Sequence, residues 1–293
     1  RIGPIPADSV CSGHLVWVQQ GGKPRDCLAV HLTFTEYGDA GKRWRMLESG
    51  MWAPLTSSYF EEGRYLAFEP PAAGDDPGRE TNGEDPKHGL GPRKPGDMLI
   101  REALQRSLRL RGQVDLMGRQ VRALRDALAL ASVLNRTLIL PHFECVCDRS
   151  ELSGVVPSCI FPGAPAEMDI PFQCSTHFVL DIHKLQMMQA PAHFGMQPHK
   201  FGGAVVEPIT FRTASFLNDP RTSSRIKNDI VQVHFVEQPE AVKEGRAVLR
   251  RGGLDVSVLE QLAPWREARV LRLYGDPTGA IAGFARPGLT VET

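Results

Sequence analysis

Two stretches are candidates for a functional site. The first, residues 31–52 (HLTFTEYGDAGKRWRMLESGMW), puts His31 on an apolar run and follows it with Gly38, Gly41 and Lys42 at the opening of a short helix. Bare backbone N–H groups at such a turn, with a lysine beside them, suit a diphosphate. The second, residues 116–149, ends in His142, Glu144, Cys145, Cys147, Asp148 and Arg149 just past an apolar strand, the position at which open parallel sheets collect ligands. The plain alternatives are a basic helix start on an ordinary surface, and a polar loop that closes a domain.

Positioning these groups requires regular elements. Met117, Val121, Leu124, Leu128 and Ala131 recur at helical steps and predict a helix of about five turns with that face buried. Arg119, Arg122, Arg125 and Asp126 are expected on its wetter side, and Asn135 is its C-terminal stop. Residues 137–140 then read as a strand ending at Pro141, so helix and strand make half of a βαβ crossover. Further strands are expected at 15–18, 28–34, 64–68, 178–181, 208–216, 230–236 and 269–273, and a helix at 256–262. Residues 69–97 are rich in Gly, Pro and charge, with too little apolar surface to offset the entropy of ordering them. They predict a linker between a first domain, 1–68, and a second, 98–293. The alternation of helices and strands predicts an α/β fold.

The 293 residues are 42% hydrophobic, enough for a real core, and Lys+Arg and Asp+Glu stand equal at 34 each, so charge gives no reason to expect nucleic acid as a partner. No apolar run approaches the roughly 18 residues that span a bilayer. The chain begins at Arg1 rather than methionine, which suggests a processed chain, an excised region or a partial gene. Six cysteines fit either three disulfides or six thiols, and the Cys145-x-Cys147 spacing is poor for zinc. Asn135-Arg-Thr137 is the only N-glycosylation sequon, and its place at a packed helix-to-strand junction argues against its use.

The chain resembles the plant and algal arabinosyltransferase-like proteins of the nucleotide-diphospho-sugar transferase group, which act on hydroxyproline-rich wall glycoproteins such as extensins. The resemblance rests on residues 31–52 and on RQVRALRDALALASVLNRTLILP with the cysteine and Asp-Arg that follow. Cys174 and His177 match a later Cys and His, and Ser215-Phe-Leu-Asn-Asp-Pro220 matches more loosely. The LNRTLILP portion also resembles protein O-fucosyltransferases.

The resemblance implies the end of a sugar-nucleotide-binding (GT-A-like) domain followed by a second, Rossmann-like α/β domain. It makes His31 a ligand of Mn²⁺ and Gly38, Gly41 and Lys42 contacts to the donor diphosphate. Asp148, Arg149 and His177 are then candidates for a site in the second domain. Cys145 is expected to pair with Cys174, with Cys147–Cys159 a second candidate bridge. The implied partners are a uridine diphosphate sugar and a glycoprotein or glycan acceptor, in the Golgi lumen, with membrane attachment only through a segment outside this chain. One departure stands out: no Asp-x-Asp occurs in the sequence, the nearest approach being Glu167-Met-Asp169. In the family that motif precedes the His31 block, so this chain is expected to lack it and to need upstream sequence for activity. The alternatives are a non-catalytic module that binds acceptor or buttresses a catalytic domain, and an O-fucosyltransferase-like enzyme.

Overall fold

The computed structural model describes residues 9–13, 27–33, 38–52, 55, 57–74, 95–146, 171–181, 200–201, 204–205, 211–237 and 245–285. Its strands in chain order are β1 (Val10–Ser12), β2 (Ala29–His31), β3 (Tyr65–Phe68), β4 (Thr137–Ile139), β5 (Phe143–Cys145), β6 (Phe172–Cys174), β7 (Lys200–Phe201), β8 (Ala204–Val205), β9 (Phe211–Arg212), β10 (Ile230–Val236), β11 (Ala247–Arg250), β12 (Gly253–Leu254), β13 (Val270–Tyr274) and β14 (Ile281–Gly283). The helices are α1 (Gly38–Glu48), α2 (Ser57–Glu61), α3 (Pro95–Val133), α4 (Ser224–Lys227) and α5 (Asp255–Leu262). By contact the chain divides into two compact units. One comprises Arg1–Glu36, Ala72–Gly118 and Glu144–Cys174, the other Tyr37–Pro71, Arg119–Phe143 and Ser175–Thr293.

The second unit is built on a six-stranded sheet of order β11-β10-β13-β3-β4-β9, and every neighbouring pair in it is parallel. The α/β expectation is met. β3 (YLAF) is buried at every position, as a central parallel strand covered on both faces must be. The strand expected to close a first domain at residue 68 is thus hydrogen-bonded between β13 and β4, which come from the expected second domain. Composition marks where the chain leaves a sheet, and a parallel crossover leaves and returns without ending the unit. Residues 75–94 of the expected linker lie outside the described residues. A cluster of Tyr59, Phe60, Tyr65, Ile139, Phe216, Ile226 and Val270 joins α2, α4 and four strand or turn segments into one core.

The crossover from β3 to β4 runs through α3; the sequence predicts only about its last five turns, with Leu124 and Ala131 buried as expected, but the helix begins at Pro95 and its buried stripe is shifted. Gln120, Ala123, Ala127 and Leu130 are inside, whereas Val121, expected inside, is 38% exposed. Asp126, expected in water, is 4% exposed. Alanine carries little weight in a hydrophobic pattern, yet small side chains are what allow a helix to lie close to its neighbours. The end of α3 follows the sequence closely. Asn135 takes φ 50°, the Arg136 N–H reaches the Ala131 carbonyl at 2.8 Å and the Asn135 N–H reaches Ser132 at 3.2 Å, the two bonds of a Schellman stop. β10, β13 and α5 also fall within a residue or two of expectation. Residues 178–181 do not: the chain forms a 3₁₀ turn at Thr176–Phe178, because Glu48 binds the backbone there. Of the strand expected at 208–216 only Phe211–Arg212 is strand, Phe216–Asn218 is a 3₁₀ turn, and 206–210, like 15–18, lie outside the described residues.

In the first unit β1 and β2 pair in parallel, and Cys11–Cys27, a bridge the sequence did not single out, ties the segments with Val30 packed against it. β5 and β6 form a second small pair joined by Cys145–Cys174, whose Cα atoms are 5.7 Å apart. This is the bridge the resemblance implied. Cys147 and Cys159 lie outside the described residues.

Candidate functional site

The first candidate element, α1, is set by its own sequence. Gly38 opens it at φ 54°, and Gly50 ends it at φ 68°, with Met51 N–H to Met46 O at 2.8 Å and Gly50 N–H to Leu47 O at 3.1 Å forming a second Schellman stop. Trp44 and Leu47 are buried, and Trp44 meets Phe211 of β9 edge-on at 5.4 Å, so the helix is fixed against the sheet's end strand. The Ser215 hydroxyl adds a 3.0 Å bond to the Leu47 carbonyl. Near the helix start Gly41 is buried, while Lys42 keeps a half-exposed ammonium 3.8 Å from Asp39. An ammonium in a first turn opposes the helix dipole, and the Asp39 carboxylate offsets this in part.

His31 ends β2 with its side chain exposed, and its carbonyl accepts the Thr33 N–H at 2.8 Å. It belongs to the first compact unit, and Gly38, Gly41 and Lys42 belong to the second. Among the described residues no three His, Cys, Asp or Glu side chains converge as a metal site. One accessible imidazole supplies a single ligand, short of a manganese set.

His177 is held on both ring nitrogens. Arg45 Nη2 lies 3.3 Å from Nε2, Ser175 Oγ lies 2.9 Å from Nδ1, and Ser175 in turn donates to Glu48. Arginine can only donate, so Nε2 accepts and the proton sits on Nδ1, donated to Ser175. Glu48 also accepts the Thr176 N–H at 2.9 Å and the Thr176 hydroxyl. Arg45 and His177 are each 3% exposed, and the guanidinium lies 5.5 Å from the Phe178 ring centroid. In this arrangement the imidazole is a strut between α1 and the 176–178 turn. Asp148 and Arg149 lie outside the described residues.

Three further features were missed in the sequence. The first is at the carboxyl edge of the sheet, where the chain, having laid β3, β4 and β9 to one side, resumes with β10 and β11 beyond β13. Ligands of parallel α/β sheets bind at such reversals. The loop after β13 is Gly275-Asp-Pro-Thr-Gly279, with positive φ at both glycines. Asp276 Oδ1 accepts the Thr278 N–H at 2.9 Å and its hydroxyl at 2.7 Å. Arg251 clamps the Asp276 and Thr278 carbonyls at 2.7 and 2.6 Å, and Asp126 of α3 accepts the Gly279 N–H at 2.7 Å. That bond explains the burial of Asp126. A glycine pair bracketing Asp-Pro-Thr directly after an apolar strand was the available signal.

The second is Arg136, from the LNRTLILP motif. Its guanidinium donates to the carbonyls of Ala268 (2.7 Å), Arg266 (2.9 Å), Trp265 (3.1 Å) and Tyr65 (3.3 Å). Burial, with the nearby Arg64 charge, lowers its pKa to about 10. The third is an aromatic enclosure for Arg212, which lies 4.1 Å over Tyr59 and donates to the Tyr59 carbonyl at 3.1 Å. Burial raises the Tyr59 phenol pKa against the opposing pull of Arg212. Arg136 and Arg212 both stabilise the scaffold around α2, β3 and β9.

The fold therefore defines an α/β protein on a parallel sheet, with ordered loops at the carboxyl edge. The chain is 26% identical over 245 residues, 81% of its length, to arabinosyltransferase XEG113 of Arabidopsis thaliana, which bears out the resemblance read from the sequence. It spans 31% of that protein. No family model matches the chain, and no solved structure matches it.

Proposed function

We propose that the chain is part of a glycosyltransferase that moves a pentose, arabinose, from a uridine diphosphate sugar to a hydroxyproline-rich wall glycoprotein or its glycan. The observation that carries this is the similarity to an arabinosyltransferase across 81% of the chain. The parallel sheet, with polar loops at the carboxyl edge of its chain reversal, supports it as an architecture suited to nucleotide ligands. In this reading the chain carries the end of a GT-A-like sugar-nucleotide domain ahead of β3 and a Rossmann-like domain that includes β3, acting in the Golgi lumen. The two disulfides favour an oxidising compartment.

Lys42 has the chemistry for the donor side. Its half-exposed ammonium sits near the start of α1, and its charge counts most as the leaving diphosphate develops its own. Gly38, exposed at the helix start, allows a close approach, whereas Gly41 is buried. His31 is assigned as one ligand of a divalent metal, and the metal would neutralise diphosphate charge.

The test is turnover of uridine diphosphate arabinose by the full-length protein that contains this chain. Lys42→Ala is expected to lower turnover about 10²–10³-fold with metal binding unchanged. His31→Ala is expected to lower metal affinity and activity together, while Arg122→Ala, at an exposed position on α3, leaves both near wild type. Wild-type turnover in both His31→Ala and Lys42→Ala would overturn the donor-site assignment and leave a non-catalytic, acceptor-binding module as the better account.

A further inference from the structure

We infer that Asn135 carries an N-linked glycan. Asn135-Arg136-Thr137 is the only sequon in the chain, and the packed junction around it argues against its use when read as sequence. The folded geometry separates the three residues. Arg136 points inward onto four carbonyls and Thr137 opens β4, its N–H 2.9 Å from the Arg64 carbonyl, while Asn135 is exposed. As the left-handed residue of the α3 stop, Asn135 spends its backbone N–H on Ser132 and leaves its side chain outside. The junction is packed, and the acceptor amide is the part that is not.

The second observation is chemical compartment. Cys11–Cys27 and Cys145–Cys174 are both bridged, the state of a chain that folds in the oxidising lumen where N-glycosylation takes place. The inference rests on the lumenal placement proposed above. The Asn135 amide nitrogen attacks the anomeric carbon of a lipid-linked diphospho-oligosaccharide, the bond from that carbon to the diphosphate oxygen breaks, and the amide loses a proton as the lipid diphosphate departs. Thr137 is read while the chain is still extended, so its later half-burial in β4 is no obstacle. The glycan then leaves from the amino-terminal edge of the sheet, where Arg64, Arg225, Asp229, Glu267 and Arg269 line a polar cleft of about 360 Å³. This is the opposite edge from the Gly275–Gly279 loop, so the modification leaves the carboxyl edge open.

Protein purified from cells that make it is treated with a peptide amidase that removes N-glycans, then mapped by mass spectrometry without reduction. The expected result is a faster-migrating band after treatment and conversion of Asn135 to aspartate in its peptide. Asn135→Asp, which keeps a residue tolerant of positive φ, should migrate as the treated form without treatment. Thr137→Ser should keep the shift. Unmodified Asn135 overturns the inference: with Cys145–Cys174 intact the lumenal placement survives it, and with free thiols both fall.

Discussion

Asp219 and Arg221 are held to each other by two side-chain contacts, Nε to Oδ1 at 3.0 Å and Nη2 to Oδ2 at 2.8 Å, and by the Arg221 N–H to Oδ1 at 2.9 Å. Arg221 also lies 4.3 Å over the Phe60 ring and donates to the Trp52 carbonyl at 3.1 Å. Burial pushes the Asp219 carboxyl up, but the Arg221 hydrogen bonds outweigh it and hold the pKa below its ordinary value of 3.8. A carboxylate depressed in the folded state contributes stability that is present above its unfolded pKa and lost as pH falls through the folded one. Asp219→Asn should therefore flatten the acid limb of stability below about pH 4, read as urea midpoints across a pH series. By sequence position Arg221 is a bystander to both motif blocks. In the fold it is not: Arg221→Ala should cost about 1–3 kcal/mol by the same measurement, and an unchanged midpoint would show the pair to be idle.

At the scale of elements, α1 and α3 end on the same device with different residues, Gly50 in one and Asn135 in the other. A Cβ placed on Gly50 would meet Asp219 Oδ2 at 3.8 Å and Ser215 Cβ at 3.9 Å, which are ordinary contacts. The cost of Gly50→Ala is then the left-handed backbone alone, about 1–2 kcal/mol. Asn135→Gly should cost little, since glycine takes that conformation freely. Thermal melts of the two variants test the pair, and equal losses would contradict the conformational account.

At the scale of the molecule the two units are secured differently. The second has the six-stranded sheet and its aromatic core, whereas the described strands of the first form pairs of three-residue strands beside two disulfides. Short strand pairs are marginal by themselves, so the covalent links matter more there. Replacing Cys145 and Cys174 by serine should cost about 2–4 kcal/mol. Hydrogen exchange should show the loss first at β5 and β6, with β3 and β13 still protected; uniform loss across both units would indicate a single cooperative unit.

The features that followed from the amino-acid sequence were local. The stops at Gly50 and Asn135, the apolar strands at 65–68, 137–139, 230–236 and 270–274, and the short α5 helix follow from dihedral preference and from hydrogen bonds between residues a few positions apart. The resemblance added the Cys145–Cys174 bridge. The non-local ties came from the fold: β3 lies between β13 and β4, Asp126 is buried because a glycine N–H from the far end of the chain needs it, and Arg136 spends its charge on three carbonyls more than a hundred residues away. Hydrophobic periodicity marks which face of an element is apolar. The partner an element meets depends on sheet order and register, so a charged residue in a pattern can read as wet and still be the buried tie between two loops.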